Sequence, residues 1–177
     1  IYATGHLGKT PLIEGEAEIR KPDFLTINPY LGSDTINPFL SVCKKNNKGL
    51  FILVRTSNPS AEEYQEAIVQ GLPLFQKIAH DIEKIGFPLR GENGFSPIGA
   101  VVGATWPDET AELRAIMPGA YFLVPGYGAQ GASAGHVINT FNQEGYGALI
   151  NSSRGIIYAF RDPQFNPKTT PTGFAKA

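Results

Sequence analysis

The chain has 177 residues, with 15 Lys and Arg against 16 Asp and Glu, for a formal net charge of −1. A chain this balanced carries no electrostatic footprint for nucleic acid or an anionic membrane surface, and no apolar run approaches the roughly 18 residues of a membrane-spanning helix. The single cysteine, Cys43, excludes an internal disulfide and fits a reducing, cytoplasmic setting. The sequence opens on Ile1, its only methionine is Met117, and no signal peptide is visible, which leads us to expect an internal stretch of a longer product.

Five short apolar, β-branched runs recur in chain order, each ending in small or polar residues. After Lys9–Pro22, whose Pro and Gly content is that of a loop, Phe24–Ile27 runs into Asn28-Pro29-Tyr30. Leu50–Val54 runs into Arg55-Thr56-Ser57. Ser60 with Glu63 three residues on has the form of a capping box. Phe75, Ile78, Ile82 and Ile85 then keep a helical period up to Gly86, with Gly71 and Pro73 breaking the 60–85 segment. Pro88–Pro97 reads as a loop before Ile98–Val102, which runs into Gly103-Ala104-Thr105. Thr105 is placed to cap a helix over Pro107–Ile116, which Pro118-Gly119 ends.

Tyr121–Val124 then leads into Pro125-Gly126, Ala134–Asn142 is a third helix, and Gly147–Ile150 leads into Asn151–Arg154. Asp162–Thr172 is loop-like, and Gly173–Ala177 reads as the first turn of a further helix. Near-continuous apolar runs suit parallel strands covered on both faces, and their alternation with helices predicts an α/β fold with a parallel sheet.

The sharpest motif is Pro125-Gly126-Tyr127-Gly128-Ala129-Gln130-Gly131, set directly between a strand and a helix. Its glycines at 126, 128 and 131 match the dinucleotide fingerprint, with Glu144 where a ribose-binding acid would stand. That fingerprint belongs after the first strand of a sheet, however, and here the strand is the last but one. A plain tight turn and a phosphate-gripping loop, in which backbone N–H groups approach an anion, are the other readings, and the phosphate loop is favoured.

One strand later, Asn151-Ser152-Ser153-Arg154-Gly155 supplies a guanidinium whose fork matches phosphate oxygens. The alternative is a surface arginine capping a carbonyl. Two successive strand ends of this kind fit the phosphate site that (β/α)₈ barrels build after strands 7 and 8. Ser57, also at a strand end, is either a hydrogen-bonding group for a planar polar ligand or a turn former. His6, His80 and His136 have no metal-ligand spacing, and no Gly-x-Ser-x-Gly elbow occurs. We expect neither metal nor cofactor.

Taken together, Leu25–Gly32, Val54–Pro59, Val101–Thr105, Pro125–Gly131 and Asn151–Ile156 resemble, in order, the orotidine 5′-phosphate decarboxylase family in its longer bacterial form. The resemblance covers the chain from about Ala3 to Ala177. It implies a (β/α)₈ TIM barrel, the chain being part of one such domain, cut at both ends and spanning roughly strands 4 to 8. It implies that Ser57 binds the pyrimidine and Pro125 lines the base pocket. Gln130 and Arg154 would hold the 5′-phosphate, with backbone amides near Gly126 and Ser153. It further implies decarboxylation of orotidine 5′-monophosphate to uridine 5′-monophosphate by a homodimer.

The family's catalytic Asp-x-Lys-x-x-Asp motif occurs nowhere in these residues. The expectation is therefore that it lies upstream of Ile1, with Ile1–Thr4 either the Ile-x-x-Thr end of that motif or, as preferred, Tyr2–Gly8 at the end of the following helix. On that reading the chain alone is inactive. A phosphosugar decarboxylase or isomerase barrel, and a non-catalytic nucleotide-binding or assembly module, are the alternative readings.

Overall fold

The computed structural model describes residues 1–11, 16–17, 21–128 and 131–161. In chain order the elements begin with α1 (Tyr2–Leu7), β1 (Thr10–Pro11), β2 (Glu16–Ala17), β3 (Phe24–Ile27), α2 (Ser33–Asn46) and β4 (Gly49–Arg55). They continue with α3 (Glu62–Gln65), β5 (Ile68–Val69), β6 (Leu72–Pro73), α4 (Leu74–Gly86), β7 (Ser96–Val102) and α5 (Pro107–Ile116). Last come β8 (Ala120–Val124), α6 (Ala134–Val137), β9 (Ala148–Ile150) and α7 (Ser153–Ile157).

The five apolar runs form one parallel sheet in the order β3-β4-β7-β8-β9, which is also their order in the chain. That progression without reversal is the winding of a barrel wall. A doubly wound dinucleotide fold would reverse its strand order at a switch point. The literal dinucleotide reading of the Gly motif fails on this topology.

Side chains alternate along the strands. Leu50, Ile52 and Val54 of β4, Ile98, Ala100 and Val102 of β7, and Ala120, Phe122 and Val124 of β8 are all buried. They pack in one core with Phe75, Ala79 and Ile82 of α4, whose 4- and 3-residue spacing sets them on one helix face. Phe24 of β3 stacks on Phe51 of β4, and Phe95, just before β7, stacks on Tyr121 of β8, with centroids 4.8 and 4.5 Å apart. Phe122 is fully buried, which stabilises the fold by about 2–3 kcal/mol relative to leaving it exposed.

Several local expectations need correction. Ser60 forms no capping box: it lies inside a 3₁₀ turn, Pro59–Ala61, and Ala61 precedes α3 without a side-chain cap. The break at Gly71 and Pro73 is a small antiparallel hairpin, β5 with β6, whose turn holds Gln70 and Gly71 at φ 56° and 84°. Trp106, not Thr105, is the N-cap of α5. The third helix is shorter than its pattern, since α6 passes into a 3₁₀ turn at Ile138–Thr140.

α6 is nonetheless capped, by a reciprocal pair in which the Ser133 side chain and the His136 ring each engage the other's backbone. Within Lys9–Pro22, β1 and β2 pair antiparallel, and β7 begins inside the Pro88–Pro97 segment. α2 turns Ile36 and Cys43, with the partly buried Phe39 and Leu40 between them, towards the core, and it carries Pro38, which deprives the Asp34 carbonyl of its helical donor. The segments Asp162–Thr172 and Gly173–Ala177 lie outside the described residues. Among the described residues no helix is long and apolar enough to cross a membrane.

Candidate functional site

Because the five strands are parallel, their C-terminal ends share one edge, and every candidate motif sits on it. The ends are stitched together by backbone bonds that continue past the ladders. Gly103 N–H donates to the Arg55 carbonyl at 2.7 Å, Ala104 N–H to Pro125 at 2.9 Å, and Asn151 N–H to Val124 at 2.9 Å. Gly103 has no side chain for a reason: a Cβ there would come within 2.8 Å of the Ser57 backbone.

After β8, Gly126, Gly128 and Gly131 all take positive φ, at 102°, 74° and 92°. Only glycine adopts such angles without strain, so the spacing of the motif is explained by the turn itself. Gly128 N–H donates to the Ala132 carbonyl at 2.9 Å, and Gly131 N–H to Gly128 at 2.8 Å. After β9 the chain turns straight into α7. Its N-cap, Ser152, makes no side-chain cap; its hydroxyl instead donates to the Tyr127 carbonyl at 3.3 Å, tying one loop to the other. The leading N–H groups of α7 therefore lack intrahelical acceptors.

Between the two loops lies a cavity of about 140 Å³ that Pro125, Gly126, Ser153 and Arg154 line together. A water occupies about 30 Å³ of liquid, so the space suits a group the size of a phosphate. The Ser153 hydroxyl donates to Asn151 Oδ1 at 2.9 Å, and among the described residues nothing pairs with the exposed Arg154 guanidinium. The arrangement can hold an oxyanion by the Arg154 cation and the leading N–H groups of α7, since the Gly128 and Gly131 N–H groups are bonded within their own turn.

Gln130 lies outside the described residues. Ser57 does not line the cavity: it sits half-buried past the end of β4, with two strand steps separating β4 from β8 and three separating it from β9. At about 4.8 Å per step that is about 10–14 Å along the edge. Glu144 is exposed on a turn, its N–H donating to Asn142 Oδ1 at 3.1 Å, and does not line the cavity.

Sequence reading missed the cluster behind Ser57. Arg55 is fully buried, donating to Glu109 from Nε at 2.6 Å and Nη2 at 3.1 Å, and to Glu66 from Nη2 at 2.7 Å. Its guanidinium stacks on Trp106, 4.0 Å from the ring centroid. A second buried arginine, Arg114, donates to the carbonyls of Met117, Ala120, Thr140 and Gly147 and lies 3.6 Å from the Phe122 centroid. Burial lowers its pKa to about 10, which leaves it charged at neutral pH. It gathers the opposite ends of β8 and β9 and serves the wall, not the site.

Comparison with known proteins places these features in context. Residues 14–166 match the model of the orotidine 5′-phosphate decarboxylase / HUMPS family. An orotidine 5′-phosphate decarboxylase of Caldicellulosiruptor bescii is 40% identical over 161 residues, 91% of this chain and 53% of that protein. Its namesake in Petrotoga mobilis is 42% identical over 164 residues, 92% of this chain and 53% of the other. The solved structure of Leishmania donovani UMP synthase superposes with a TM-score of 0.65 at 36% identity, covering 76% of this chain and 28% of that one. The chain spans about half the length of the curated relatives it matches.

Proposed function

Since the chain belongs to the orotidine 5′-phosphate decarboxylase / HUMPS family, we propose that its parent protein converts orotidine 5′-monophosphate to uridine 5′-monophosphate, and that this stretch of barrel wall supplies substrate binding. The observation that carries the proposal is the cavity shared by the β8 and β9 loops, with Arg154 at its edge. It supports a phosphate held by Arg154, Gln130 and the backbone amides near Gly126 and Ser153. Pro125 flanks the base, and Ser57, further along the same edge, meets the pyrimidine.

The hard step leaves carbanion character at C6 of the ring. A Lys ammonium between carboxylates stabilises that charge and then returns a proton. The Asp-x-Lys-x-x-Asp run that would supply these groups is not among the 177 residues. What this chain contributes is orientation. Arg154 grips a group remote from C6, so its binding energy can fix the ring against the reacting groups and raise turnover as well as affinity. We further infer a homodimer in the cytoplasm, with one catalytic carboxylate reaching across the interface, and a reaction needing neither metal nor cofactor.

The curated relatives' names favour this reading over a phosphosugar barrel or a non-catalytic module. The test is the loss of orotidylate absorbance with the full-length parent, run with and without a chelator. Turnover unaffected by chelator is expected. Activity on a sugar phosphate that chelator abolishes, with none on orotidylate, would overturn the assignment.

A further inference from the structure

We infer that Trp106 and Gln65 are positioning residues that set the place of Ser57, and through it the recognition of the pyrimidine; the inference rests on the proposed role of Ser57. The residue before Ser57 is held by side chains at every polar atom. Thr56 N–H donates to Gln65 Oε1 at 3.0 Å, and Gln65 Nε2 donates to Thr56 Oγ1 at 2.8 Å. That hydroxyl donates on to Asn58 Oδ1 at 2.7 Å, and the Thr56 carbonyl accepts from Trp106 Nε1 at 2.8 Å. Thr105 Oγ1 lies 3.4 Å from the Ser57 carbonyl.

These side chains take over where the ladder stops. The register between β4 and β7 slips between Leu53 and Arg55, so the chain leaves the sheet just before Thr56. Trp106 is itself fixed by the buried Arg55 guanidinium on its ring, and Arg55 by Glu109 and Glu66. From below, Gly103 leaves the Ser57 backbone no clearance for even a Cβ. Ser57 therefore sits on a backbone held by Gln65, Trp106 and the floor at Gly103, and a shift of that backbone redirects its hydroxyl.

The test compares the full-length parent with its Trp106→Phe and Gln65→Met variants, which keep the ring on Arg55 and the length of the side chain but remove the hydrogen bonds. Binding of uridine 5′-monophosphate and of ribose 5-phosphate is measured for each. The expected result is a loss of about tenfold in nucleotide affinity, the equivalent of one hydrogen bond, with ribose 5-phosphate unchanged. In a Ser57→Ala background the same substitutions should have no further effect, because their influence passes through Ser57.

Equal losses for both ligands, no loss at all, or full additivity with Ser57→Ala would each overturn the inference. If Ser57→Ala by itself leaves the preference for nucleotide over ribose 5-phosphate unchanged, the reading of Ser57 fails, a separate outcome.

Discussion

Removing Glu109 from the Arg55 cluster tests the energetics of the strand end that carries Ser57. Arg55 is fully buried and shares its charge between two carboxylates of unequal standing. Glu109 is 26% exposed and receives two bonds, at 2.6 and 3.1 Å, while Glu66 is 47% exposed and receives one at 2.7 Å. Breaking a buried pair from one side costs about 3–5 kcal/mol, because the other charge stays buried without compensation. Glu66 remains in Glu109→Ala, so the lower end, about 3 kcal/mol, applies. Glu109 also lies in the first turn of α5, where a carboxylate is worth about 0.5 kcal/mol against the helix dipole.

For Glu66→Ala, solvent screening at a half-exposed carboxylate reduces the loss to about 1 kcal/mol. The double variant Arg55→Met with Glu109→Gln removes both charges and should be less destabilised than Glu109→Ala alone. Urea unfolding of the full-length parent, read as midpoint and slope, measures all three. Equal losses for Glu66→Ala and Glu109→Ala, or a double variant worse than Glu109→Ala, would refute the assignment of Glu109 as the main counter-charge.

Arg154→Ala in the parent should lower kcat/KM by about 3 kcal/mol, roughly a hundredfold, the scale of a lost charge-assisted phosphate contact; near-wild-type steady-state kinetics would remove Arg154 from the site. Gly128→Ala forces a side chain to φ 74° and should cost about 1 kcal/mol of stability while raising KM, measured by unfolding and kinetics together. The purified 177-residue chain should give no loss of orotidylate absorbance, since it lacks the Asp-x-Lys-x-x-Asp run; a rate proportional to its concentration would contradict this.

Cys43 is 3% exposed, and burial pushes its pKa up from 9.0 to about 11. The unfolded thiol ionises first, so this group destabilises the fold progressively as pH rises from 9 towards 11. Alkaline unfolding of Cys43→Ala should show a weaker decline over that window, and a thiol reagent at pH 8 should label Cys43 only after denaturant is added.

The sheet was legible because its strands are short apolar runs between polar ends, and the near-continuous burial that such runs imply is met in β4 and β7, whereas β8 alternates and β3 and β9 are only partly covered. The Gly-rich turn after β8 was legible for a different reason: positive φ at Gly126, Gly128 and Gly131 can be met cheaply only by glycine, so backbone geometry is written in the sequence. α2 was missed although Ile36, Phe39, Leu40 and Cys43 keep a helical period, because Pro38 falls inside it, where a proline reads as a break. The Arg55 cluster was not legible, since its partners stand 11 and 54 residues away and meet only through the fold. A local motif such as Ser60 with Glu63 misled, because Pro59 starts a 3₁₀ turn that moves the N-cap one residue on, to Ala61.

This stretch of barrel is proposed to hold the two ends of a pyrimidine nucleotide along one sheet edge. A crystal structure of the full-length parent with uridine 5′-monophosphate tests it most directly. The phosphate is expected in the cavity between Pro125–Gly128 and Asn151–Arg154, within hydrogen-bond distance of the Arg154 guanidinium, and the pyrimidine at Ser57. A nucleotide bound with its phosphate away from both loops would contradict it.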